Sequence, residues 1–109
     1  MAARAYICDI AGGTATVTIQ IQGTQTLKSV VFTAANIAAG KYELSLAATS
    51  QIGTAQPDSN VLARMNVAAG GATGPVTTAA FDLNQPVKAF QSIYVHCTGA
   101  GNLGNAVIR

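Results

Sequence analysis

The chain has 109 residues and a mass of 11.0 kDa, half hydrophobic and only 9% charged, a size that holds one domain and leaves no room for separate catalytic and binding modules. Six cations (Arg4, Lys28, Lys41, Arg64, Lys88, Arg109) and four anions (Asp9, Glu43, Asp58, Asp82) give a formal charge of +2. They are spread singly, so the clustered Lys/Arg of a phosphate-binding surface is absent and no nucleic-acid partner is expected. No apolar run approaches the roughly 20 residues of a bilayer-spanning helix, and the start MAARAYICDI lacks the basic region and apolar core of an export signal. Neither a membrane partner nor secretion is expected.

Thr, Val and Ile recur in alternating runs while the good helix formers are sparse, which points to strands. The first is Ala5 to Ile10. The strongest signal is Thr14 to Gln22, where Ala15, Val17, Ile19 and Ile21 share one face and Thr16, Thr18, Gln20 and Gln22 the other, as in a half-buried strand. Leu27 to Thr33 follows. Thr33 to Gly40 reads as one helical turn ended by Gly40. Lys41 to Ala48 places Tyr42, Leu44, Leu46 and Ala48 inward, and Val61 to Val67 does the same with Val61, Ala63, Met65 and Val67. Gly70 to Pro75 reads as a long exposed loop. Thr77 to Leu83, then Gln91 to Cys97 with Gln91, Ile93, Val95 and Cys97 inward, and Asn105 to Arg109 complete a set of eight short strands. Turn residues every 8 to 12 positions predict an all-β fold, a single antiparallel β-sandwich or jelly roll spanning 1–109.

Little in this pattern carries chemistry. Cys8 and Cys97 lie in apolar strand patterns and are expected as reduced core thiols, though a disulfide between them would close a long loop. Neither has metal-ligand spacing, so no metal and no cofactor are expected. His96 adjoins Cys97, but neighbouring residues of a strand point to opposite faces, which rules out a Cys/His nucleophile pair. The carboxylates show no acid/base pair in sequence. Gly99 to Gly104 matches the spacing GxGxxG without the strand–helix context of a dinucleotide site, and reads as a hairpin. No catalytic residue is predicted. Trp is absent, leaving Tyr94 and Phe90 as surface aromatics for a carbohydrate-binding alternative.

The outward positions are mostly Thr, Ser, Gln, Asn and Ala, which lose little entropy when covered and hydrogen-bond a partner without burying charge. Thr16, Thr18, Gln20, Gln22, Tyr94 and His96 are the candidate contact residues. A β protein with so few charges needs its edges covered, and oligomerisation is expected.

The stretches TAANIAAGKYELSL (Thr33 to Leu46) and QSIYVHCTGAGNLGNAVIR (Gln91 to Arg109), with the eight Thr/Ala/Gly-rich strands, resemble small bacteriophage virion proteins, including capsid cement or decoration proteins. The resemblance implies a non-enzymatic protein located in the virion, bound to the major capsid protein or another virion protein, and favours a homotrimer. It carries over no functional residue.

Overall fold

The computed structural model describes residues 5–10, 14–35, 38–53, 59–68, 76–99 and 103–109. Among the described residues eight strands form: β1 (Tyr6–Ile10), β2 (Ala15–Gln20), β3 (Gln25–Ala35), β4 (Gly40–Ser45), β5 (Val61–Val67), β6 (Val76–Val87), β7 (Ser92–Cys97) and β8 (Gly104–Ile108). They pair antiparallel as the two arms of one long hairpin would, β4 with β5, β3 with β6, β2 with β7 and β1 with β8. Two further pairings, β3 with β8 and β4 with β7, fold this ribbon into sheets of order β1-β8-β3-β6 and β2-β7-β4-β5. This is the strand order of a jelly roll, and the sandwich inferred from alternation is the observed fold.

The core lies between the sheets. Tyr6, Cys8 and Ile10 of β1, Val30, Phe32 and Ala34 of β3 and Ala106 and Ile108 of β8 face Tyr42, Leu44, Met65, Val67, Ile93, Val95 and Cys97 of the other sheet. Phe32 anchors the centre, edge-on to Tyr42 at 6.0 Å and to Phe81 at 5.9 Å, the geometry that aromatic quadrupoles favour. Tyr6 tacks β1 to the β2–β3 turn, its hydroxyl accepting from the Gln22 amide at 2.8 Å and from Gln25 Nε2 at 3.0 Å. β8 can thread between β1 and β3 because residue 104 is glycine; a Cβ there would run into the Thr33 carbonyl.

Several local expectations give way to tertiary pairing. The helical turn over Thr33 to Gly40 does not form: β3 continues to Ala35, with Thr33 and Ala34 held by β6 on one side and β8 on the other. Asn36 and Ile37 lie outside the described residues. β4 ends at Ser45, three residues early, where the Ser45 hydroxyl accepts from the Ala47 amide and the chain bends, so Leu46 is half-buried and Ala48 exposed. β6 runs on through Pro86 to Val87, which an edge strand tolerates because one side of its backbone is unpaired. Ile19 is only half-buried because β2 is also an edge. The expected loop at Gly70 to Pro75 lies outside the described residues.

Candidate functional site

The two outer faces of the sandwich differ. On the β2-β7-β4-β5 sheet, register places Thr16, His96, Glu43 and Arg64 in one row across all four strands. Segment 46–53 folds back over this row. Glu43 is fully buried; its Oε1 accepts from Arg64 Nη2 at 3.0 Å and its Oε2 from the Gln51 amide at 3.1 Å. Arg64 Nη2 also donates to the Gln51 carbonyl, and Lys41 Nζ to that of Ile52 at 3.4 Å. His96 donates from Nε2 to the Ala47 carbonyl at 3.0 Å, with Nδ1 2.9 Å from the Thr16 hydroxyl. A carbonyl can only accept, so Nε2 carries a proton. The row is a fastening for the β4–β5 segment.

His96 was expected at a contact surface and is instead 1% exposed, covered by a segment of its own chain. Its neighbour Tyr94 stacks on it, ring centroids 6.2 Å apart, and is half-buried. Thr16, Thr18, Gln20 and Gln22 are exposed, as alternation predicted. The six residues therefore do not make one open patch. Cys97 faces the core, opposite His96, as strand geometry required.

Both cysteines are buried, reduced thiols. Burial, with lesser contributions from Asp9 and Cys97, pushes the Cys8 thiol from 9.0 up to about 11, and burial raises Cys97 as well against a hydrogen bond from Ala15. Thiols so disposed stay protonated and unreactive at neutral pH. Among the described residues, no three His, Cys, Asp or Glu side chains converge as metal ligands. Asp9 and Asp82 stand exposed on the outer face of the other sheet and Glu43 is paired with Arg64; Asp58 lies outside the described residues. A cleft of about 410 Å³ beside segment 46–53 has Lys41, Asn66 and Thr98 among its lining.

The β1-β8-β3-β6 sheet carries nothing on its outer face among the described residues. Register arranges that face in rows across the strands. One row is Ile7, Val107, Val31 and Ala80; the next is Asp9, Asn105, Thr33 and Thr78. Beyond it Val76 faces Ala35, and the Leu103 carbonyl accepts from the Ala35 amide. Ile7 is 71% exposed, Val76 61% and Leu103 60%, an apolar content unusual for an open sheet face. Alternation alone missed these residues. For Ile7, Val31 and Val107 the signal was present as unbroken apolar runs, Tyr6 to Cys8, Val30 to Phe32 and Ala106 to Ile108, which mark a strand apolar on both faces. Phe90, 72% exposed, projects from the β6–β7 turn at a left-handed φ of 68°. Its amide donates to the Ile21 carbonyl at 2.7 Å, which holds that conformation.

No family model matches the chain, and no curated protein matches it. Solved structures do. A family 6 carbohydrate-binding module is similar over 94% of this chain and 80% of its own, with a TM-score of 0.55 and 14% identity. The C-terminal family 6 module of a marine laminarinase from Zobellia galactanivorans aligns over 90% and 75%, with a TM-score of 0.48 and 11% identity. The Tobacco streak virus coat protein aligns over 95% and 84%, with a TM-score of 0.43 and 11% identity. At such identity the first likeness establishes a shared β-sandwich fold and nothing about what is bound.

Proposed function

We propose that this chain is a non-enzymatic structural protein of a bacteriophage virion, a capsid cement or decoration protein that docks through the outer face of the β1-β8-β3-β6 sheet and works as a homo-oligomer. The observation that carries this reading is that face: uncovered among the described residues, rowed with Ile7, Val31, Val107 and Ala80 beside Thr and Asn, with Asp9 its one charge between Val76 and Val31. A surface of that kind is desolvated cheaply and offers hydrogen bonds at fixed spacing, which suits protein contact. Its partner would be the major capsid protein or another virion protein. The test is co-sedimentation of the purified chain with assembled shells of the phage that encodes it. Saturable binding that Val107→Asp abolishes supports the reading, and no binding to any virion component overturns it.

A second reading, a small carbohydrate-binding module, is favoured by one observation. Phe90 presents an exposed ring on a turn tied down by hydrogen bonds from Ala89 to Thr24 Oγ1, from Phe90 to Ile21, from Ile21 to Gln91, from Lys88 to Gln91 Oε1 and from Gln91 to Lys88, and a rigid exposed ring is a platform for a sugar face. Binding on a glycan array that Phe90→Ala removes would put this reading first.

A further inference from the structure

Among the described residues, strand β6 has no partner along one edge of its sheet. It is 12 residues long, against 5 in β1, 6 in β2 and 7 in β5, the strands at the other three sheet ends. Edges are ordinarily guarded by shortness, Lys, Pro or bulges. Over Val76–Ala80 β6 has none of these: its one charge is Asp82, its Pro86 lies near the far end, and the pairing with β3 shifts register only beyond Asp82.

We propose that this edge is covered by the same strand of a second copy of the chain, antiparallel about a two-fold axis at Ala80, so that two four-stranded sheets join into one of eight. A two-fold axis across an antiparallel pair passes through a residue that faces itself, and the choice of residue fixes every other pair. An axis at Asp82 sets two carboxylates opposite each other, which is destabilising. At Ala79 it sets Val76 against Asp82, and at Phe81 it sets Ala80 against Asp82 and ring against ring. At Ala80 the small side chains meet on the axis and Thr78 faces the second copy's Asp82, twice, hydroxyl donor to carboxylate acceptor. On the inner face Ala79 meets the second copy's Phe81, the smallest side chain beside the largest; both are half-buried in one chain, and the pairing extends the core over them. The same axis carries the row Ile7, Val107, Val31, Ala80 unbroken into the second copy, doubling the proposed docking face. The pairing nevertheless stands on the strand edge alone, so failure to bind shells leaves it untouched.

Such a contact is isologous and closes after two copies, unlike the threefold assembly implied by the resemblance to cement proteins. Sedimentation equilibrium at micromolar concentration is expected to give twice the 11.0 kDa of the chain. Ala80→Lys places two ammonium groups face to face on the axis and is expected to give the single-chain mass. Thr78→Lys places each ammonium opposite a carboxylate and is expected to keep two chains, held less firmly at high salt. Ala80→Cys, treated with oxidised glutathione, is expected to link two chains through a disulfide, since facing Cα atoms on the axis lie about 4.5–5.5 Å apart, within disulfide reach; Thr78→Cys is not. A single-chain or three-chain mass for the unmodified protein overturns the proposal, as does a two-chain mass for Ala80→Lys or cross-linking of Thr78→Cys in place of Ala80→Cys. Circular dichroism checks that each variant folds, and if Ala80→Lys does not, the cysteine pair decides.

Discussion

Arg64→Met isolates the fastening beneath segment 46–53. Glu43 is fully buried and its side chain is 0% exposed, while Arg64 is 17% exposed and holds the carboxylate at 3.0 Å. Methionine keeps much of the arginine stem's packing and removes the cation, so Glu43 is left with the Gln51 amide as its remaining described donor. Breaking a buried pair by removing one partner costs about 3–5 kcal/mol, because the surviving charge is stranded in a medium that solvates it poorly. Partial access of water through the Arg64 side places the expected loss at the lower end, about 3 kcal/mol, or a melting point lower by roughly 10–15 °C for a domain of this size. Adding Glu43→Gln removes the stranded charge, so the double variant is expected to be more stable than Arg64→Met alone, a coupling that a double-mutant cycle in urea measures directly. Hydrogen exchange at the Gln51 amide is expected to accelerate in the single variant as the segment lifts. An Arg64→Met protein within about 0.5 kcal/mol of the parent, the range of an ordinary surface change, would refute the role given to this pair.

The core makes a graded prediction: Leu44→Ala is expected to cost about 3–5 kcal/mol and Ile19→Ala about 1–2 kcal/mol in urea unfolding, since Leu44 is fully enclosed and Ile19 half-open on an edge strand, where solvent fills the space left behind. Equal losses would contradict the assigned burial. Alkaline stability follows from the buried acids. Folding raises Cys8 from 9.0 to about 11 and Tyr42 from 10.0 to about 12, in both cases chiefly by burial. The unfolded chain therefore releases these protons first, and stability that is complete below pH 9 is lost as pH rises through about 11. Cys8→Ala is expected to flatten the fall between pH 9 and 11 in thermal melts; a parent midpoint constant to pH 11 would contradict the burial of these groups. Thiol reagents at neutral pH are expected to label Cys8 and Cys97 only as fast as the protein unfolds, and stoichiometric labelling of the native chain would count against both buried thiols.

Eight strands were legible because alternation is a local property: Val61–Val67 has the bounds its pattern gave, and most other boundaries shift by one to three residues. Which strand lies beside which is set by pairing between residues far apart in sequence, such as Tyr6 with Ile108, and no local pattern encodes it. The length of β6 was hidden by Pro86, which reads as a break until the strand is known to be an edge. The contact surface was the hardest to read. His96 occupies a polar, outward position in its strand, and only the return of segment 46–53 buries it. Ile7, Val31 and Val107 occupy positions that strict alternation reserves for polar side chains, yet nothing among the described residues covers that face. A residue's side of a sheet is legible in sequence; what lies over that side is a tertiary fact.

Docking through the open sheet face is tested most directly by hydroxyl-radical footprinting of the chain alone and bound to assembled shells. Protection of Ile7, Val31, Leu103 and Val107, with Phe90 equally reactive in both states, is the predicted result. Loss of reactivity at Phe90 with Ile7 and Leu103 unchanged would contradict it and place the functional contact at the β6–β7 turn.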